Sequence, residues 1–509
     1  MIFKSKYPDI DIPTTGIYQF ITSNPNKVPD DKVIFVDGIT DKKLTFGEIK
    51  RNTKKFAAGL IDKLNFKRGE VLALISPNEV DFPVVLFGTI AAVNEFEYQF
   101  SDSNSSIIIV HPFCLSAVKE AAKNLKIPQS RILLFGDKEI DGFQPFNTSL
   151  ISNNEKEEFK PIEYTFEEAK STTAYLCYSS GTTGKQKGVE TTHTNILSNM
   201  AQLLNFETIV DINSKLMGGS STVILPKFDL STFCRLIQDH KINYAHIVPP
   251  IVLLLVKSPI VKDYDLSSLQ MVVSAAAPLS KELCKKFNES TKVSIKQGYG
   301  LTETSPIITI GNDNTVVHGE LVPNMEAKLI SPDGKGYNEP GELYVRGPNV
   351  MKGYLNNEER TKASFDKDGF YLTGDVVIVD EQENYFIVDR AKELIKYKGF
   401  QVAPAELEAI LLNHPAISDA AVIGVEFEEK TTEYPVAYVT LQEGYKKTPQ
   451  LATEIQEYVG ERVAPHKRIR GGVHFIDKVP KSASGKILRK ILRENAKIQF
   501  SKPQYQNLK

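Results

Sequence analysis

Residues 178–188 read Tyr-Ser-Ser-Gly-Thr-Thr-Gly-Lys-Gln-Lys-Gly, and no other stretch restricts the chain so strongly. Hydroxyls, glycines and lysines crowded into one loop offer donors and positive charge to phosphate oxygens. The loop follows the apolar run Ala174-Tyr175-Leu176-Cys177, which reads as a strand. It precedes Thr192-His193-Thr194-Asn195-Ile196-Leu197, which reads as a capped helix start. Strand, glycine-rich loop, helix is a usual setting for a nucleotide phosphate site. The Walker pattern is not met, because Gln186 follows Gly184-Lys185 and position 179 is Ser. Taken alone, the same composition also suits a plain polar surface loop.

At 509 residues the chain should hold two or more domains, and an apolar content of 41% is enough for sizeable cores. A formal net charge of −2 gives no case for nucleic acid or an anionic membrane. Arg462, Lys467, Arg468 and Arg470 read as a solvated face. The four cysteines, Cys114, Cys177, Cys234 and Cys284, form no C-x-x-C pair, which suits a reducing compartment. No secretory h-region opens the chain, and the run Ile247 to Val256 is too short to span a bilayer. The expectation is a cytoplasmic protein; Asn507-Leu508-Lys509 is not the S-K-L peroxisomal address.

Apolar strand-like runs at Val71 to Ile75, Ile107 to Val110, Ile132 to Phe135, Ala174 to Tyr178, Val223 to Leu225 and Met271 to Ser274 alternate with helical ones. That alternation argues an α/β fold with largely parallel sheets. From about 325 to 390 short strands and turns such as Ser331-Pro332-Asp333-Gly334-Lys335-Gly336 suit a smaller β-rich subdomain. Residues 392–509 read as a compact α+β unit, with strands at Ala420 to Val425 and Val436 to Leu441 and helices near 405–413 and 451–463. Asn153-Asn154-Glu155-Lys156-Glu157-Glu158 reads as a surface loop.

Further segments stand in order behind the loop: Gln297-Gly298-Tyr299-Gly300-Leu301-Thr302-Glu303-Thr304, Tyr371-Leu372-Thr373-Gly374-Asp375, Val388-Asp389-Arg390, Lys392 to Glu408, and Pro480-Lys481-Ser482-Ala483-Ser484-Gly485-Lys486. Over nearly its whole length the chain resembles the adenylate-forming superfamily of acyl-CoA synthetases, luciferases and adenylation domains, most of all 4-coumarate–CoA ligases. The resemblance implies a large N-terminal AMP-binding domain, residues 1–390, of packed α/β sheet subdomains with the β-rich subdomain at about 325–390. A small, mobile α+β C-terminal lid, residues 391–509, completes it. It implies that ATP activates a carboxylic acid as acyl-AMP and that coenzyme A then displaces AMP.

The same resemblance assigns roles. Ser179, Ser180, Gly181, Thr182, Thr183, Gly184 and Lys187 would hold the pyrophosphate end, with Gln297 and Gly298 in the nucleotide site. Tyr299 would stack on adenine, and Asp375 and Arg390 would hold the ribose. Thr302 would touch the α-phosphate and Glu303 would ligate Mg²⁺. Lys486 would bring positive charge to the reacting carboxylate. Lys392 would be the hinge about which the lid swings, removing Lys486 and bringing in Lys396, Lys398, Gly399 and Gln401. Of these, Lys396 and Gln401 would also contact nucleotide, and Lys398 and Gly399 coenzyme A, with Lys227 near its phosphates. Ala275, Ala276 and His246, in the segments Ser274 to Pro278 and His246 to Pro250 with Ile307-Ile308, would wall the acid pocket. That lining is apolar, so a hydrophobic aryl or aliphatic acid is expected. Read without the motif, Lys486 is a solvated lysine, Asp375 a turn residue and Tyr299 a core aromatic.

The chain departs from the family pattern twice. Around Ala92-Val93 relatives carry a further strand, and around Asp211 to Gly219 they carry a longer insert that supplies an aromatic/His gate. Two alternatives therefore stand beside the ligase: a truncated, impaired variant that at most binds nucleotide, and a luciferase-like oxygenase.

Overall fold

The computed structural model describes residues 2–92, 96–97, 102–152, 159–179, 187–205, 218–277, 279–311, 319–331, 336–426, 432–482 and 485–500. The expected surface loop at 153–158 and most of the turn at 331–336 lie outside them.

The α/β expectation holds. A seven-stranded sheet runs Gly353–Tyr354, Lys187–Thr192, Thr173–Ser179, Phe96–Glu97, Leu72–Ile75, Ile107–Val110, Ile132–Leu134 in spatial order. Its later members pair in parallel. Helices Phe46–Leu64 and Phe82–Ala92 cover it. The first is started by a capping box, in which Thr45 Oγ1 accepts from Glu48 N–H and the Glu48 carboxylate accepts from Thr45 N–H. The second carries no charge and is buried on every side. The two approach so closely that a Cβ on Gly88 would lie 2.5 Å from Phe56 Cδ1 and 3.1 Å from Thr53 O. Phe56, Phe146 and Phe135 meet edge to face beneath them, with centroids 5.5 and 5.4 Å apart. Each such ring contributes about 1.5–3 kcal/mol by leaving water.

A second sheet sets Tyr244–Ile247, Met271–Ser274 and Ser294–Gly300 in parallel, then adds Ile307–Ile310 and Glu320–Leu321 antiparallel. The β-rich part is an antiparallel sheet of Glu326–Ile330, Gly341–Arg346, Tyr371–Val379 and Tyr385–Arg390. Its outer strand is Ile2–Lys4, which the sequence reading did not assign. The C-terminal region holds the expected strands as Ile417–Val425 and Tyr434–Leu441, a third strand Val473–Phe475 and helices Pro404–Leu412, Pro449–Gly460 and Arg489–Phe500. The Arg489 guanidinium donates to both Glu408 carboxylate oxygens at 2.7 and 2.8 Å, which ties the last helix to Pro404–Leu412, and its Nε donates to Val422 O of the sheet at 3.2 Å. No helix among the described residues is long and apolar enough to cross a membrane.

His193 fastens the N-terminal helix Ile17–Ser23 to this body: its Nδ1 accepts from Ile17 N–H at 3.2 Å, and its ring lies 4.2 Å from that of Tyr164. Burial pulls its pKa down to about 3, so the folded protein keeps it neutral. Below the ordinary histidine value near 6.5 the unfolded chain binds a proton that the folded chain refuses. Stability from this group is therefore present above that pH and lost as pH falls, by about 2 kcal/mol on reaching roughly pH 5. Urea unfolding at a series of pH values should show that loss, and His193→Asn, which keeps an acceptor, should remove this part of the slope.

Candidate active site

Register places Ile247, Ser274 and Gln297 abreast at the carboxyl ends of three parallel strands, the usual place for a ligand crevice in an open α/β sheet. Gln297 is buried, and its Oε1 accepts from Leu279 N–H at 3.2 Å, which fastens the turn after Ser274. The chain then runs through Gly298-Tyr299-Gly300. Gly300 allows no side chain, because a Cβ there would lie 1.9 Å from Pro306 O. The short turn Thr302–Thr304 follows, with Glu303 buried and Thr302 half-buried.

Glu303 Oε1 accepts from Ser179 Oγ at 3.2 Å and from Tyr354 Oη at 3.0 Å. No hydrogen bond among the described residues goes to its Oε2, which leaves a hard oxygen donor of the kind a divalent cation takes. Ser179 and Lys187 face each other as cross-strand partners, and Lys187 Nζ lies 4.9 Å from the centre of the Tyr354 ring. Here the sequence reading needs correction. The glycine-rich loop joins two antiparallel strands, Thr173–Ser179 and Lys187–Thr192, and the helix begins only at His193. Val189, Thr191 and Thr192 favour extended chain, and the strand pairs on both sides, with Thr173–Ser179 and with Gly353–Tyr354. Ser180, Gly181, Thr182, Thr183 and Gly184 lie outside the described residues.

Across the crevice Asp375 and Arg390 are cross-strand partners in the β-rich sheet. Arg390 Nε meets Asp375 Oδ1 at 2.7 Å, and Tyr299 Oη donates to Asp375 Oδ2 at 2.6 Å. Burial pushes the Asp375 carboxyl above its ordinary range, and the Arg390 charge pulls it back. Burial, with the Asp375 charge beside it, pushes the Tyr299 phenol well up, so it remains a donor. The Tyr299 ring is itself largely buried and packs with Leu301 and Ile307.

Lys486 enters from the C-terminal region. Ile487 bridges to Lys481 beside it, and the last helix begins at Arg489. Lys486 keeps solvent contact, yet enough protein surrounds its ammonium for desolvation to pull the pKa below the lysine value. Arg390 adds to that fall, while Asp375 and Glu303 oppose it. Lys187 is depressed in the same way, by desolvation first and then by Arg360, with Lys392 and Arg390 contributing and Glu303 opposing. Lys187, Arg360, Arg390, Lys392 and Lys486 thus act on one another across one basin, with Glu303 and Asp375 as counter-charges. Such a basin attracts a polyanion.

Lys396, Lys398, Gly399 and Gln401 lie exposed on the hairpin Ile395–Tyr397/Phe400–Val402. Lys398 and Gly399 both take positive φ, 46° and 84°, as a tight two-residue turn requires. Lys392 and Lys227 are also exposed. His246 is exposed beside Tyr244. Ala275 is half-buried, and Ala276 is exposed at φ 74°, a conformation costly for a residue with a Cβ. Ile307 and Ile308 lie within the core behind this face. Tyr354 and Arg360 were missed by the sequence reading; nothing local marks them, and only the pairing of Tyr354 with Val189 brings them to the site.

Residues 21–355 match the model of the AMP-binding enzyme family, and residues 406–486 match that of the AMP-binding enzyme C-terminal domain. The chain is 40% identical to a probable 4-coumarate–CoA ligase 1 of Dictyostelium discoideum, with 97% of each chain covered. It is 36% identical to a 4-coumarate–CoA ligase of Pinus taeda, again over 97% of each. The Dictyostelium alignment runs over 545 residues, more than the 509 of this chain, so that relative has residues without a counterpart here. Among solved structures, that of an anthranilate–CoA ligase with anthranoyl-AMP is similar at a TM-score of 0.86 and 23% identity, covering 97% of this chain and 99% of that one.

Removing the buried Tyr299 hydroxyl takes a donor from an enclosed carboxylate. Tyr299→Phe should cost about 1–3 kcal/mol in denaturant unfolding. Tyr385→Phe, whose buried hydroxyl finds no partner among the described residues, should be neutral or stabilising.

Proposed function

This chain belongs to the AMP-binding enzymes and is an acid–thiol ligase of the AMP-forming kind, and on that premise we propose that it activates a hydrophobic carboxylic acid, aryl such as 4-coumarate or aliphatic, for transfer to coenzyme A. The observation that carries the reading is the cationic basin of Lys187, Arg360, Arg390, Lys392 and Lys486 beside a buried Asp375 and a buried Glu303. A triphosphate needs the cations, and a ribose needs a fixed carboxylate that accepts from its hydroxyls.

In the first step a carboxylate oxygen of the acid attacks the α-phosphorus of ATP, the bond to the bridging oxygen breaks, and pyrophosphate leaves. Lys486 holds positive charge where the carboxylate and the phosphate approach, which offsets their repulsion. Lys187 and the hydroxyl-bearing loop hold the departing end, and Thr302 donates to the α-phosphate. Glu303 would hold Mg²⁺, which supplies neutralising charge at the phosphates. Asp375, held by Arg390 and Tyr299, orients the ribose. In the second step the thiol sulfur attacks the acyl carbon and AMP leaves. Before that attack the lid turns about Lys392, so that Lys486 withdraws and the Lys396 to Gln401 hairpin, now exposed, takes its place with Lys227 near the coenzyme's phosphates.

A second reading, a chain impaired by its missing segments, is favoured by one detail of the seven-stranded sheet. Among the described residues, between neighbours of four and seven residues, its central member is Phe96–Glu97, and Glu97 pairs with Leu176 of Thr173–Ser179.

A pyrophosphate-release assay with a panel of hydrophobic acids tests the ligase. Turnover should require both ATP and acid, and Lys486→Ala should lower the adenylation step by on the order of a hundredfold or more. A folded protein with no nucleotide-dependent turnover would sink the activity of the chain as it stands. The impaired reading then expects turnover to appear when a relative's two segments are inserted after Ala92 and before Gly218.

A further inference from the structure

The helix Pro249–Lys257 of the large lobe touches the C-terminal region at both its ends. At its start, a Cβ on Gly485 would sit 3.8 Å from Val248 Cγ2 and from Pro250 Cγ, so the Lys486 loop rests on that end. At its finish, Lys257 Nζ donates to Leu412 O at 3.2 Å and to Ile417 O at 3.1 Å. Beside it, Lys286 Nζ, from helix Lys281–Thr291, donates to Asn413 Oδ1 at 3.1 Å.

The acceptors are the end of helix Pro404–Leu412, and its last carbonyls can be accounted for one by one. Ala409 O accepts from Asn413 Nδ2, Ile410 O from Asn413 N–H, and Leu411 O from His414 N–H. Leu412 O takes its donor from the other lobe, and that donor is Lys257. At the opposite end, Asp389 Oδ2 accepts from Ala405 N–H at 3.0 Å. An anion thus stands at the positive end of the helix dipole and cations at the negative end, and none of the three belongs to the helix's own lobe. Both lysines are exposed, and desolvation, with Lys286 close by, lowers the Lys257 pKa.

We propose that Lys257 and Lys286 are positioning residues that latch the lid, by capping the C-terminal end of its helix Pro404–Leu412, in the orientation that brings Lys486 to Asp375 and Glu303. The proposal rests on the lid rotation of the ligase reading above. The latch belongs to the acid-activating orientation, and Lys257 and Lys286 must release Leu412, Ile417 and Asn413 before the thiol step. Charge-assisted hydrogen bonds of this kind bias an orientation by roughly tenfold.

The test is the full chain with Lys257→Met and Lys286→Met combined, and Lys257→Arg as the conservative variant. Hydrogen exchange without nucleotide should quicken by roughly tenfold over residues 409–418 and 485–488 in the double variant, and return towards the parent rate in Lys257→Arg. Pyrophosphate release should fall by roughly tenfold in kcat with KM for the acid little changed, because orientation and not acid contact is lost. Thioester formation from supplied acyl-adenylate should be undiminished. Unchanged exchange overturns the latch. So does an equal fall of both half-reactions together with a lowered melting temperature, which would mark a merely structural role. If the parent chain performs neither half-reaction, the ligase reading fails, and exchange alone decides whether the latch exists.

Discussion

The register between Tyr371–Val379 and Tyr385–Arg390 is the constraint on which the site depends. It sets Asp375 opposite Arg390, and a slip of one residue would turn both side chains to the wrong face. The pair then reaches out of its own sheet, because Tyr299 from a different sheet donates to the same carboxylate. A buried carboxylate tolerates enclosure only when its lone pairs are matched. Asp375 therefore joins the β-rich part to the parallel sheet at the place where their crevice opens, and Lys486 arrives beside it from the third part of the chain.

Much of this was legible in the amino acids. The alternation of apolar runs forecast the parallel strands, and five motif segments in order pointed to residues that the fold collects around one basin. Local pattern failed where distant chain decides. Ile2–Lys4 becomes an edge strand only because residues 326–328 offer it partners. Tyr354 matters only because Gly353–Tyr354 pairs with Lys187–Thr192. The loop at 180–186 was read as leading into a helix because Thr192 and Asn195 look like a cap, and they are one: each bonds the other's backbone N–H. That cap lies one strand further on. The signal was sound, and the β-branched residues before it were underweighted.

The seven-stranded sheet carries the glycine-rich loop between Thr173–Ser179 and Lys187–Thr192. Thr173–Ser179 ends at Ser179, whose hydroxyl reaches Glu303, and it must be held straight to deliver that contact. On one flank Lys187–Thr192 pairs with it through Thr173 to Ser179. On the other, among the described residues, Glu97 pairs with Leu176. Among the described residues, Ser179 is thus held mainly by the hairpin partner of its strand.

The two-residue turn at Lys398 and Gly399 has a consequence for motion. Its φ values leave little slack, and Glu433 ties the hairpin base to the neighbouring sheet, accepting from Lys396 N–H and donating to Lys396 O, both at 2.8 Å. Residues 396–401 are thereby a rigid vane on the lobe that bears them. On the lid rotation proposed above, a few dihedrals at the joint re-aim the whole blade with no internal refolding, and the resistance to turning lies in the contacts at the two lobes' seam.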